Sequence, residues 1–326
     1  MKKLILPLLV LFFIIYFIII QLYPNTKIKK SIPKFIKILS TNYNNNLSKL
    51  LFIPHIELGD SIVLNGIVRY YCTIYNTVFM LCKNSYYNQI KFMYTDLSNL
   101  VLIKLPDRDI YKNIKSYIPY DKESIELYNN YNIKIVTLGC YNILYGIPEI
   151  TYKTLFPSWM YDELKLNINI AYDYFKINRD YVKENELYNK LINIIGKKYI
   201  VLIDDEKRNF IINPKYLSHI KYPIFKMSHN SINSIPELNL IRDPIMFNNI
   251  KILENALEII SIDTSIPWII DFLNIKVKTS VHTYMRDGNI KFRNKNIKII
   301  SGTFIERLTA YTNLSTYNSK MCNILN

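Results

Sequence analysis

Leu51-Phe52-Ile53-Pro54-His55 is a short apolar run that stops at a proline, and the pattern downstream of it decides the fold. From Ser61 to Tyr71, the residues Ile62, Leu64, Ile67, Val68 and Tyr71 recur at roughly helical spacing, which predicts a helix. Asn76-Thr77 breaks that pattern, and Val78-Phe79-Met80-Leu81-Cys82 has the composition of a buried strand. Lys83 to Met93 reads as a second helix, Leu100-Val101-Leu102-Ile103 as a strand, and Ile133 to Leu138 as another. Strand, helix, strand, helix, strand predicts a parallel sheet covered by helices.

The alternation resumes further on. Residues 148–180 are aromatic and irregular, and a helix is expected from Glu184 to Ile195, stopped by Gly196. Strands are expected at Tyr199–Ile203, Ile224–Met227, Ile259–Ile262 and Val277–Val281, with helices over Ile245–Leu257 and Ile266–Leu273. The fold class expected is α/β, with two doubly wound halves. The divisions are 1–23 for an anchor, 24–50 for a basic stem, 51–182 for the first half and 183–326 for the second.

The anchor rests on Leu4 to Leu22, which is 19 residues without a charge. As a helix it would span about 28 Å, close to the hydrocarbon thickness of a bilayer. A cleaved signal peptide needs a shorter apolar core and a small-residue cleavage site. Here the first alanine is Ala171 and the first glycine Gly59, so an uncleaved single-pass membrane anchor is expected. Lys27, Lys29, Lys30, Lys34 and Lys37 follow the span and Lys2 and Lys3 precede it, which by the positive-inside rule favours a cytoplasmic body. Sequons at Asn46 and Asn313 would be used only on the other side, so the side stays open.

The 326 residues carry a net charge of +15, of which eight lysines in residues 1–50 supply more than half. The remaining +7 suits an anionic substrate as well as it suits nucleic acid, and no recognition motif for nucleic acid is present. The four cysteines form no Cys-x-x-Cys pair and the four histidines no His-x-x-x-His pair, so zinc-site spacings are absent. Cys72, Cys82 and Cys140 lie in or near apolar runs and are expected to be free thiols, and Cys322 sits in a polar tail. Phosphate loops, nucleophile elbows and His-Glu-x-x-His helices are also missing.

Four places could carry chemistry. Leu58-Gly59-Asp60 lies just after the opening strand, where an open α/β sheet puts its ligands. Asp60 there is either a helix cap or a base for a hydroxyl. Asp263-Thr264-Ser265 lies after a strand and opens a helix, so it is either a cap or a diphosphate site. Asp204-Asp205-Glu206-Lys207-Arg208 is a charged surface loop or a source of cations for phosphate. Asp107-Arg108-Asp109 is a weak Asp-x-Asp pattern that a divalent metal and a nucleotide would share.

Two of these stretches carry a resemblance. The string from His55 through Glu57, Leu58, Gly59, Asp60, Asn65 and Gly66 to Arg69 resembles the first loop of the ADP-heptose:lipopolysaccharide heptosyltransferases and their relatives, and looks closest to a divergent viral and phage branch. Cys82-Lys83 and Met93-Tyr94-Thr95-Asp96 match further strings of that branch. Ile252 to Ser265 is similar to the family's strand, Asp-Thr/Ser, helix element, with Ser265 and Trp268 standing where the heptosyltransferases usually have Gly and His.

The resemblance implies the GT-B fold, two Rossmann-like domains facing across a cleft, and an inverting glycosyltransferase of hexosyl or heptosyl type. It implies a nucleotide-sugar donor as substrate, no metal and no cofactor. Asp60 would be the base. Asp263, Thr264 and Ser265 would hold the donor, and Lys207 or Arg208 would neutralise the departing diphosphate. Gly59, Asn65 and Arg69 would be acceptor-side or structural. The acceptor would be a glycan, lipid or protein. Two alternatives stand beside this: a degenerate fold of the same type acting as a membrane-tethered binding or structural protein, and a metal-dependent GT-A enzyme using Asp107 and Asp109.

Overall fold

The structure is a computed structural model that describes residues 47–55, 57–108, 114, 117–118, 122–138, 156–228, 231–284, 290–303 and 306–307. The expected anchor at residues 4–22, the stem up to residue 46, Asp109, Cys140 and Cys322 lie outside them. Among the described residues no helix is long and apolar enough to cross a membrane.

The described residues form two sheets, both wholly parallel. The first has the order β3-β2-β1-β4, with β1 at Lys49–Ile53, β2 at Thr77–Lys83, β3 at Leu100–Leu105 and β4 at Ile133–Thr137. The second has the order β6-β5-β7-β8-β9. Its strands are β5 at Ile200–Ile203, β6 at Ile224–Lys226, β7 at Glu258–Ile262, β8 at Lys278–His282 and β9 at Ile297–Ile300. Continuous apolar runs make the inner strands β1, β2 and β5, which are buried on both faces as parallel strands are. Alternate residues divide between two cores. Leu50 and Phe52 of β1 join a cluster that runs through Val201 and Ile203 of β5 to Trp268, whereas Leu51 and Ile53 pack on the other face of the first sheet.

Each sheet reverses direction beside its first strand. The chain steps outward from β1 to β3 and then returns to place β4 on the other side of β1, and β5 lies between β6 and β7 in the same way. Ligands of open parallel sheets bind outside the carboxyl ends of the strands at such points.

The helices differ from the sequence pattern in detail. The helix expected over Ser61–Tyr71 starts earlier and is broken: α1 is Leu58–Val63 and α2 is Asn65–Ile74, with Leu64 between them at φ −81° and ψ 0°. Lys83–Met93 resolves into a 3-10 turn and α3, Tyr87–Met93. Further on come α4 (Lys122–Asn130), α5 (Ser158–Glu163) and α6 (Asn169–Asp173). The next helix, α7, spans Tyr181–Ile195 and begins before the expected Glu184 because the Asp180 carboxylate accepts the Lys183 amide at 3.0 Å. Ile245–Leu257 becomes a 3-10 turn over Met246–Asn249 and then α8, Ile250–Asn255, and α9 is Ser265–Phe272. Strand β9 has no counterpart in the expected set; it is a half-exposed edge strand whose alternation is weak.

Cys72 and Cys82 are free, and burial pushes both thiols up to about 12. Helix α2 meets α6 at Gly66, where a Cβ would lie 2.4 Å from the Ile170 carbonyl oxygen and 2.8 Å from the Ala171 Cα. Both neighbours are backbone, so the strain has no easy outlet. Gly66→Ala should lower stability by about 1–3 kcal/mol, read as a drop in the urea midpoint. A change within about 0.5 kcal/mol would contradict the close approach.

Candidate active site

The carboxyl ends of both sheets open into one cleft of about 860 Å³, within the usual size of a small-molecule site. Glu57 to Asp60 enter it from the turn after β1, Ile203 to Asp205 from the end of β5, and Asp263 to Ser265 from the end of β7. The two sides touch where α1 meets α9: a Cβ on Gly59 would sit 3.9 Å from that of Ser265. Gln89 ties α3 to the opposite side. Its amide donates to the Pro244 carbonyl, and its Oε1 accepts the Met246 amide at 3.1 Å.

Asp60 does not cap a helix. The N-cap of α1 is Glu57, which makes no side-chain cap, and Asp60 lies in the first turn with 22% of its side chain exposed to the cleft. His55 Nδ1 lies 3.4 Å from Asp60 Oδ2, and the imidazole packs edge-on against Trp159 at 5.6 Å. Glu57 is occupied elsewhere. It accepts from Lys83 Nζ and from the Tyr86 hydroxyl at 3.1 Å. Burial, then Glu57, pushes the Tyr86 hydroxyl up to about 12.

Across the cleft, Thr264 is the N-cap of α9 and likewise makes no side-chain cap; its hydroxyl is buried with no hydrogen-bond partner among the described residues. The first amides of α9 belong to Ser265 and Ile266, and Pro267 then has none. Trp268 is almost fully buried, forms part of the cleft wall and packs on Phe156 at 5.2 Å and Phe292 at 4.5 Å.

The charged run after β5 splits. Arg208 lines the cleft, and its Nε donates to Asp205 Oδ2 at 2.5 Å. Lys207 is exposed and does not line it. Asp204 is buried, accepts from the Ser231 hydroxyl, and is held above its ordinary range by desolvation.

Asn65 and Arg69 turn away from the cleft. Both are buried, and neither lines the cleft. Asn65 exchanges hydrogen bonds with the Lys176 backbone at 3.2 and 3.0 Å. Arg69 makes a two-pronged pair with Asp96 at 3.0 and 2.9 Å and also donates to the Met93 and Lys176 carbonyls. That pair holds the Asp96 carboxyl well below the usual range. Asp107 accepts from the Ser85 amide and hydroxyl at 3.2 and 3.0 Å and is not among the cleft residues, while Asp109 is outside the described set. Among the described residues no three His, Cys, Asp or Glu side chains converge as metal ligands do.

Pattern and spacing assign no role to Tyr86, Gln89, Asp243 or Asn249, and none of their own to His55 and Glu57. His55 and Glu57 stand in the same string as Asp60, so their proximity was available. Gln89, Asp243 and Asn249 reach the cleft only through long-range packing.

No known protein family matches the chain, and no curated protein does. A solved structure similar to it is that of ADP-heptose LPS heptosyltransferase II from E. coli, at 10% identity and a TM-score of 0.43, over 85% of this chain and 100% of that one.

The buried charges can be tested by substitution. Arg69→Gln leaves Asp96 with Lys176, 2.8 Å away, but removes the buried guanidinium's bonds to Asp96 and to the Met93 and Lys176 carbonyls, and should cost about 1–2 kcal/mol, against less than about 0.5 kcal/mol for Lys207→Ala, both read from urea unfolding. For Asp204, a raised carboxyl contributes its full stability below the unfolded-state pKa of about 3.9 and loses it as pH rises through the folded value. The stability advantage of Asp204→Asn should therefore grow as pH is raised from about 4 to about 7.5. An advantage independent of pH would contradict the burial.

Proposed function

We propose that this protein is a glycosyltransferase of the GT-B type, moving a sugar from a nucleotide-sugar donor to an acceptor hydroxyl. The observation that carries the reading is the single cleft with a cap-free carboxylate, Asp60, on one wall and the amide-bearing start of α9 on the other. The acceptor oxygen attacks the anomeric carbon as its proton passes to Asp60. The bond from that carbon to the diphosphate breaks, and its electron pair leaves on the diphosphate oxygen. The Ser265 and Ile266 amides, the Thr264 hydroxyl and Arg208 face that developing charge. One displacement with one base inverts the anomeric centre, and no step calls on a metal.

Residues 4–22 would tether the body to a membrane and bring it to a glycan, lipid or protein acceptor. The hexosyl or heptosyl class of the sugar belongs to the same proposal, as does kinship with the viral and phage branch.

A second reading, a tethered binding protein without turnover, draws support from Arg208. It is the cation among the lining residues, and it is already engaged by Asp205. Turnover separates the two. UDP-glucose, UDP-N-acetylglucosamine, GDP-mannose and ADP-glucose should be tried for thermal stabilisation and for release of nucleoside diphosphate. At least one should do both. Asp60→Asn should keep the stabilisation and lose turnover by at least about 100-fold, and Arg208→Ala should raise the donor KM by about tenfold, in line with a charge-assisted contact. Turnover that survives Asp60→Asn would remove Asp60 as the base.

A further inference from the structure

We propose that His55 is a positioning residue for Asp60, holding Oδ2 so that Oδ1 stays turned to the cleft. The inference rests on the reading of Asp60 as base. A carboxylate on a short side chain pivots about two bonds, and a base works only when its oxygen sits within hydrogen-bond reach of the acceptor hydroxyl. Within ion-pair range of Asp60, the side chain that the described residues supply is His55, with Nδ1 at 3.4 Å. Glu57, the nearer acid in sequence, is turned to Lys83 and Tyr86.

The order of the two groups is set by the cleft. Asp60 lines it and His55 does not, so the imidazole stands behind the carboxylate rather than beside the substrate. Trp159, itself nearly buried on α5, meets the imidazole edge-on at an interplanar angle of 79° and limits its rotation. Pro54, buried ahead of it, fixes the backbone entering the turn. A neutral imidazole that gives its Nδ1 proton to a carboxylate is locked in one tautomer and one orientation. His55 keeps that proton throughout; the acceptor's proton goes to Asp60. Catalytic hydrogen bonds are often long before substrate binds, and the 3.4 Å separation falls in that range.

The test uses the full chain with His55→Leu, which removes the donor, and His55→Asn, whose amide restores an N–H at nearly the same place. The readouts are nucleoside diphosphate release from the same four donors, with water as acceptor, and the nitrogen-15 shifts of His55. In His55→Leu, kcat should fall about 10- to 100-fold with donor KM within about twofold, and His55→Asn should recover most of that loss, since a positioned base is worth about 10²–10⁴. His55 should carry its proton on Nδ1 in the parent protein, and its signals should move in Asp60→Asn.

A His55→Leu variant with undiminished kcat beside an active parent protein would overturn the positioning role alone. So would an Nε2-protonated His55 indifferent to Asp60→Asn. If the parent protein releases nucleoside diphosphate from none of the four donors, glycosyl transfer itself falls, and the role of His55 with it.

Discussion

The contact between α1 and α9 is the constraint on which the rest depends. Gly59 and Ser265 approach so closely that a side chain on the first would rest against the second. Each helix is the element next after a strand, so bringing their starts together brings the carboxyl ends of two sheets to one opening. A parallel sheet sends every strand-to-helix turn out along the same edge. Two such sheets facing each other pool their turns, and the cleft inherits a carboxylate from one and the first amides of a helix from the other. Gln89, bonded to the Pro244 carbonyl and the Met246 amide, holds one edge of the same opening, and the stacked Phe92 and Phe247 rings, 5.9 Å apart, join the same two halves.

The packing beneath explains why that approach is fixed. One apolar cluster runs without interruption from β1 and β2, through α1 and α2, to β5, β7 and α9. The Tyr172 hydroxyl donates to Asp271 at 2.7 Å, and the Arg293 guanidinium lies 3.7 Å from the Tyr172 ring, so residues on α6 and α9 are bound by polar contacts as well. Burial of this kind is non-directional, yet it sets the distance between Asp60 and the start of α9 because neither side can slide without opening voids.

Much of this was legible in the residues. The strands were, because burial on both faces leaves an apolar run that few other structures need. The exception, Ile297–Ile300, is an edge strand with Lys298 and Ile299 exposed, and an exposed edge carries a diluted signal. Asp60 and Asp263–Ser265 were legible as a pair because a turn after a parallel strand has a predictable place. Whether they cap their helices was not, since cap geometry turns on single dihedral angles. Asn65 and Arg69 share the Lys176 carbonyl because a spacing of four puts both on one helix face, from which Arg69 also reaches Asp96. The separation of Lys207 from Arg208 has a local cause: Asp205 caps the 3-10 turn through the Arg208 amide and holds the guanidinium, leaving Lys207 outside.

The central claim is that the two walls serve one ligand, with its diphosphate at the start of α9 and its sugar toward Asp60. A crystal structure with the nucleoside diphosphate of a stabilising donor bound tests it most directly. The account predicts the terminal phosphate within hydrogen-bond distance of the Ser265 and Ile266 amides, with Asp60 facing it across the opening. A nucleotide held on another surface, or one whose phosphates turn away from α9 into solvent, would contradict it.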